Sequence, residues 1–305
     1  MASGFQETFD KDSNRPIEWH HVEGDASQLK QLLSAHHFSL ASFEPLRTTA
    51  PRAEFDDAMR WYMVRLLHLA WQPGREQAQV VPLYVWADKQ TVVSWSPEPL
   101  EVVHSVREKL GENRDWVVSS ARLVYYLFDD LLGLLFPFLD ALNDRMAQLE
   151  QNVLRSRRDN AMQERIFRLK REVLNVRRIL ASMRDTVSQL VRYWSTAAEG
   201  DSFYYMELYD HMIRLFDTAD TYRELINSVL DLHMSTVNNR LNEIVKTLTL
   251  VTTVLLPASV MAALYGMNFD RLPLSHHEWG FFIILGIIVV ISSVLYWIFR
   301  RRQWL

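Results

Sequence analysis

The chain contains no cysteine. Disulfides, thiolate metal sites and cysteine nucleophiles are therefore excluded. Glycine is scarce as well, at 9 of 305 residues, roughly half the usual share. No GxGxxG or GxxxxGK[ST] stretch occurs, so neither a dinucleotide fold nor a phosphate-binding loop is encoded. No strong excess of one charge is present either: 33 basic and 37 acidic residues give −4. Neither a nucleotide nor a nucleic-acid partner is expected.

Charge is missing altogether from two stretches near the C-terminal end. No charge occurs between Lys246 and Asp270, and residues 247–264 (TLTLVTTVLLPASVMAAL) are mostly apolar. Residues 279–299 (WGFFIILGIIVVISSVLYWIF) form a second uncharged run of 21 residues. At about 1.5 Å per residue such a helix reaches roughly 30 Å, the thickness of a bilayer's hydrocarbon core. Two transmembrane helices are expected, at about 244–264 and 279–299, joined by an outer loop at 265–278. Trp279 and Trp297 suit interfacial belts. Arg300, Arg301 and Arg302 follow the second span, Arg240 and Lys246 precede the first, and the loop holds only Arg271. The positive-inside rule then places both termini in the cytoplasm. Residues 1–30 are polar and carry no signal-peptide core. The expectation is a cytoplasmic body on a multi-pass C-terminal membrane hairpin.

The body divides by composition into an α/β domain (1–117) and a long-helix stalk (118–243), ahead of the membrane part (244–305). Within 1–117, residues 79–86 (QVVPLYVW) and 91–95 (TVVSW) read as strands of a small sheet, and Pro73-Gly74 as a turn. Residues 138–199 contain no glycine or proline, and residues 201–256 again none. Two long helices broken near 199–202 (EGDS) are expected. The second runs into the first span without a break. A helix from about 204 to 264 would be roughly 90 Å long, which points to an oligomeric bundle. Steps of three and four through it put Asp231, Ser235, Asn238, Asn242, Val245, Thr249, Thr252, Leu256, Ser259 and Ala263 on one face. Most are polar or small. The lining of a narrow hydrated pore and close helix packing through small residues both fit this pattern. No nucleophile, cofactor motif or cleft accompanies Glu207, Asp210 and His211, so neither an enzyme nor a bound cofactor is expected.

The first span ends in Tyr265-Gly266-Met267-Asn268-Phe269, a GMN tripeptide at the outer end of the first of two C-terminal spans. Upstream stand Asn242-Glu243-Ile244-Val245-Lys246-Thr247-Leu248-Thr249 and, within the span, Pro257. Residues 300–305 (RRRQWL), 169–178 (LKREVLNVRR) and 209–214 (YDHMIR) add to the pattern. Over about 123–305 the chain resembles the CorA family of divalent-cation channels and transporters. The resemblance implies a funnel-shaped homopentamer, mostly helical, with an α+β cytoplasmic domain ahead of long helices and a transmembrane hairpin in the cell inner membrane. Five copies of the helix with Asn242 and Asn268 would form the pore. Asn268 of the Gly266-Met267-Asn268 motif would meet the hydrated cation, with Asn242 as an inner ring. Leu248 and Leu256 match constricting positions, Ser259 a position often threonine, and Asp231 an acidic inner mouth. Glu207 aligns with an acidic position of a cytoplasmic regulatory metal site.

Mg2+ gives up its waters reluctantly. A ring of neutral amide acceptors can hydrogen-bond that water shell without replacing it, and weak multiple sites allow release. Two charges crossing about 100 mV, inside negative, gain roughly 4.6 kcal/mol, enough for passive uptake. Such a path needs a gate, and Glu207 with Asp210 is the expected cytoplasmic sensor. Ten histidines occur, among them His20-His21, His36-His37 and His276-His277. Imidazole suits zinc better than magnesium, and His276-His277 beside Glu278 are outer-loop candidates for Zn2+. The remaining histidines read as surface or packing residues. The leading expectation is passive movement of Mg2+, with Co2+ or Ni2+ as surrogates. The alternatives are a Zn2+ transporter like the family's ZntB-like branch, reported to move zinc with protons, and a membrane-tethered helical organiser that conducts nothing.

Overall fold

The computed structural model describes residues 4–9, 16–39, 52–55, 60–71, 78–155, 161–196, 201–267, 273 and 279–302. Contacts divide the chain into two units, 1–230 and 231–305.

The first unit is built on a six-stranded sheet. Its strands are β1 (Gly4–Phe9), β2 (Ile17–Glu23), β3 (Arg52–Phe55), β4 (Tyr62–Trp71), β5 (Ala78–Ala87) and β6 (Thr91–Ser96), in the order β1-β2-β6-β5-β4-β3. The β2–β6 pair is parallel and the other pairs are antiparallel. The Val-rich runs expected as strands are β5 and β6. Pro82 sits in β5 beyond the stretch Tyr84–Ala87 that pairs with β6. Its missing N–H therefore costs no ladder bond on that side. β2 and β4 are buried along almost their whole length, so they lack the apolar–polar alternation of a half-exposed strand.

Helices cover both faces. On one, α1 (Ala26–Ala35) packs Leu29 and Leu33 against Val22, Met63, Trp86 and Val93. On the other lie α2 (Glu101–Glu112), α3 (Ser120–Gly133), α4 (Leu135–Arg155) and α5 (Met162–Thr196), with a short 3-10 turn at Arg114–Trp116 before α3. Residues 138–199 are thus two helices, not the single one expected: α4 ends at Arg155 and α5 begins at Met162. Residues 156–160 and the Pro73-Gly74 turn lie outside the described residues.

Aromatic side chains tie the helices to the sheet. The Trp71 indole stacks on Phe138 at 4.7 Å and its Nε1–H donates to the Phe138 carbonyl at 3.1 Å. Tyr62 meets Trp194 edge-on at 5.7 Å, Trp194 stacks on Tyr205 at 5.5 Å, and the Tyr205 hydroxyl donates to the Ala121 carbonyl. Tyr205 belongs to α6 (Ser202–Tyr265), a single helix of 64 residues. Its start is fixed by Asp201, a buried carboxylate. Asp201 accepts from Arg122 Nη2 at 2.9 Å, from Arg122 Nε at 3.1 Å, and from the hydroxyl of Ser119, itself the N-cap of α3. The Arg122 guanidinium lies 3.5 Å from the centre of the Tyr204 ring.

In the second unit, α6 continues to Tyr265 and α7 runs Gly280–Arg301. Both contain stretches long and apolar enough to cross a membrane. The stripe Ile284, Ile288, Ser292, Leu295 and Phe299 is the half-buried side of α7. The Ser292 hydroxyl donates to the Val254 carbonyl at 3.3 Å, next to the Thr253 carbonyl that Pro257 leaves without its helical donor.

Asp201→Ala removes one partner of a buried ion pair and the carboxylate that joins two helix starts. The expected cost is about 3 kcal/mol, or roughly 6–12 °C in the melting temperature of a unit of this size, read by thermal unfolding of the purified protein in detergent. A second prediction concerns acid. Burial holds the His21 imidazole down to about 4, helped by His104 and opposed by Glu23. The folded chain therefore binds fewer protons than the unfolded one between roughly pH 6.5 and 4. This contribution is fully present above pH 6.5 and is lost as the pH falls towards 4, up to about 3 kcal/mol. His21→Asn should flatten the fall in melting temperature between pH 7 and pH 5.

Candidate functional site: the α6 face and the Glu207 cluster

Three of the residues singled out from the sequence, Glu207, Asp210 and His211, lie on the first-unit part of α6; ten more, from Asp231 to Ala263, lie further along it. At about 100° per residue, Asp231, Asn238, Asn242, Val245, Leu248, Thr249, Thr252, Leu256, Ser259 and Ala263 fall within a sector of roughly 120°. All ten are exposed in the single chain. From Leu250 onward the burial pattern gives this sector a direction. Leu250, Thr253, Val254, Pro257, Ala258, Met261 and Tyr265 are buried or half-buried. They occupy the opposite side of the helix, where Ser292 of α7 reaches Val254. Val251, Leu255 and Ala262 border the exposed sector on one flank, Val260 and Leu264 on the other.

The hydroxyls on this sector are already committed as donors. Thr249 donates to the Val245 carbonyl at 2.8 Å, Thr252 to Leu248 at 2.9 Å and Ser259 to Leu255 at 3.1 Å. A hydroxyl whose proton goes back to the helix offers only lone pairs outward. Together with the amide oxygens of Asn238 and Asn242, these make a row of neutral acceptors. Leu248 and Leu256, each 63% exposed, interrupt the row with apolar bulk.

At the far end α6 closes at Tyr265, whose hydroxyl donates to the Pro273 carbonyl at 2.8 Å. Gly266 N–H donates to the Ala262 carbonyl at 2.9 Å, and a Cβ on Gly266 would lie 3.1 Å from that oxygen. Met267 follows and is exposed. Asn268 lies outside the described residues, as do Arg271, His276, His277 and Glu278.

Glu207 is exposed and accepts from the Tyr125 hydroxyl at 3.2 Å. One turn along α6, His211 Nδ1 lies 3.1 Å from Asp129 Oδ1. Burial pushes the Asp129 carboxyl up, against the pull of His211 and helped by the nearby charges of Asp130 and Glu207. Asp129, Asp130 and His211 also line a groove of about 510 Å3 with Glu101, Lys109 and Phe136. Asp210 is exposed on the same helix. Tyr125 and Asp129 escape sequence reasoning because they lie some 80 positions from their partners. The one legible signal is the four-residue step from Glu207 to His211, which puts both on one face.

A long helix with an acceptor-bearing face, running into an apolar hairpin, defines a membrane-inserted protein suited to handling hydrated ions. Residues 15–301 match the family described as CorA-like Mg2+ transporter protein, and the chain belongs to that family. It is 31% identical over 221 residues to the Cobalt/magnesium transport protein CorA of Thermotoga maritima, covering 71% of this chain and 62% of the relative, just under two thirds of its length. It is 30% identical over 234 residues to the Divalent cation transporter CmaX of Pseudomonas aeruginosa, covering 76% and 70%. The fold follows that of the complete CorA magnesium transporter from Methanocaldococcus jannaschii, with a TM-score of 0.81 at 22% identity over 100% of this chain and 99% of that one. The ZntB cytoplasmic domain from Vibrio parahaemolyticus shares the fold at a TM-score of 0.64 and 14% identity, over 78% of this chain and all of that domain.

Proposed function

We propose that the protein is a divalent-cation transporter that moves Mg2+, with Co2+ or Ni2+ as surrogates, across the cell inner membrane down its electrochemical gradient. Copies of the chain, five in this reading, surround an axis lined by the exposed sector of α6. The observation that carries this is the row of neutral acceptors on the side of α6 away from α7. A hydrated Mg2+ presents only water protons outward, and acceptors without charge hold that shell loosely enough for release. Leu248 and Leu256 close the path by excluding water. Asn268 forms the outer ring and Asn242 an inner one. Both termini lie in the cytoplasm, where Arg300, Arg301, Arg302 and Lys246 meet the inner headgroups.

Membership of a transporter family supports the reading. The names of the Thermotoga and Pseudomonas relatives support a divalent cation. The intact Gly266-Met267-Asn268 favours magnesium. The fold shared with a ZntB domain is what favours the second reading, a proton-coupled Zn2+ transporter. Glu207 serves as the cytoplasmic sensor in both. Beside Asp129 and His211 it forms one side of a cation site completed by a neighbouring copy, and occupancy holds the closed state.

Ion flux into liposomes holding the purified protein tests the proposal. Mg2+ flux is expected without a pH gradient, and Asn268→Ala is expected to lower it at least about tenfold, equivalent to roughly 1.4 kcal/mol. Zinc flux without magnesium flux would overturn the choice of ion, and no divalent flux at all would overturn transport. In Glu207→Ala the internal Mg2+ needed for half-inhibition is expected to rise several-fold; unchanged inhibition would remove Glu207 from the sensor.

A further inference from the structure

The three side chains Glu18, His20 and His36 meet on the α1 side of the sheet, although the sequence suggests only surface or packing roles for the two histidines. One ligand atom from each lies within 4.8 Å of the other two. Glu18 Oε2 and His20 Nε2 are 3.4 Å apart, and the His20 and His36 rings are centred 5.1 Å apart. We propose that they form a binding site for a transition-metal divalent cation of the Zn2+ class, within the sheet domain and independent of the transport reading above.

The backbone that presents these groups is fixed. β2 is an interior strand: Glu18 pairs with Thr8 of β1 and Thr91 of β6, and His20 with Gln6 and Val93. Residues two apart on a strand share a face, so Glu18 and His20 point the same way. His36 is the C-cap of α1. The chain leaves that helix through His37 at φ 60°, with Phe38 N–H donating to the Leu33 carbonyl at 2.9 Å and His37 N–H to Ser34 at 3.3 Å. This is the bonding pattern of a Schellman cap, and Phe38 and Leu33 are both buried in the same core cluster. The turn that seats Phe38 therefore also sets the position of His36.

The spacing suits an ion. Ligand atoms around tetrahedral zinc, about 2.0–2.1 Å from the metal, stand roughly 3.3 Å from one another. The Glu18–His20 distance already has that value. Three atoms no more than 4.8 Å apart place a central ion at most about 2.8 Å from each, so side-chain movements of under about 1 Å bring all three to bonding distance. His20 is buried, while Glu18 and His36 are half-buried. That leaves an open side for a fourth ligand, water, and for entry. The last turn of α1 carries no basic residue, so its carbonyl end adds partial negative charge beside the cation. Two imidazoles and one carboxylate select zinc, cobalt or nickel. Mg2+ demands six oxygens and keeps its waters, and this donor set does not offer them.

The test uses the full-length protein in detergent, stripped of metal and titrated with Co2+. Cobalt in a four-coordinate nitrogen–oxygen site absorbs visible light far more strongly than six-coordinate hydrated cobalt. Wild type is expected to gain this band, to lose it when Zn2+ is added, and to keep it in millimolar Mg2+. His36→Gln and Glu18→Gln, both altered on the exposed side, should each lose the band and bind zinc at least about tenfold more weakly. Zinc should raise the melting temperature of wild type but not of these variants. Asn268→Ala should retain the band, separating this site from the transport path. No intense band in wild type, displacement of cobalt by Mg2+, or an unaltered band and zinc affinity in both variants would overturn the proposal.

Discussion

A helix that crosses a bilayer has no water to satisfy its backbone, so every carbonyl must find a donor inside the protein. Along α6 this requirement shapes the side chains as well as the backbone. Pro257 takes away one donor, and Ser292 brings a hydroxyl to the adjoining carbonyl from α7. Thr249, Thr252 and Ser259 return their protons to the helix that carries them. Each hydroxyl satisfies its own proton within the helix, and each is left with acceptor capacity alone. The hydroxyls on the polar face of α6 spend their donors locally, whereas the amides of Asn238 and Asn242 carry N–H donors as well as oxygens. Free hydroxyls would turn either a proton or a lone pair to a passing ion's water shell. The committed hydroxyls can offer only lone pairs, which match the outward-facing protons of a hydrated cation and oppose a hydrated anion.

The same requirement explains why α6 carries so few charges near its apolar portion and why the charges that remain lie on its N-terminal side. Selectivity by carboxylates would need several of them in a low-dielectric path, each raised in energy by desolvation. Neutral oxygens avoid that cost. Carboxylates reappear where water is available, at Asp231 and at Glu207, both exposed. Asp129 shows what happens short of full exposure: burial already pushes its carboxyl upward, and only the adjoining His211 pulls it back. A cation arriving beside Asp129 would act in the same direction as His211, holding that carboxylate ionised.

The amino-acid order discloses some of this and hides the rest for physical reasons. The two apolar stretches are visible because charge is absent over residues 247–269 and 279–299, and lipid tolerates little else. The length of α6 is visible because glycine and proline are missing from 201–256, and the valines of β5 and β6 mark themselves as strands. β2 and β4 are hidden because helices on both sides of the sheet bury successive residues alike. The end of α4 at Arg155 and the start of α5 at Met162 are hidden because neither glycine nor proline lies between them. The oxygen-bearing face of α6 is legible as a periodicity, but its direction is not: nothing in 231–263 alone says which side α7 will cover. The pairing of Tyr125 with Glu207 and the approach of His36 to His20 depend on how separate elements cross, information that no local pattern carries.

Two kinds of cation chemistry thus occupy one chain and use different parts of it. Oxygen acceptors sit along α6, a face that would suit an ion keeping its water shell. Nitrogen donors gather between β2 and the end of α1, where an ion must shed water to bind. A chain without cysteine has imidazole as its strongest donor for zinc-class ions, so discrimination between magnesium and those ions falls to where its histidines are placed. None of the ten histidines lies between residues 234 and 275. Any surface along α6 from Ser235 to Tyr265 is therefore free of imidazole. Histidines elsewhere can hold such an ion without obstructing that surface, so binding in the sheet domain would be compatible with the proposed movement of a harder cation along the helix.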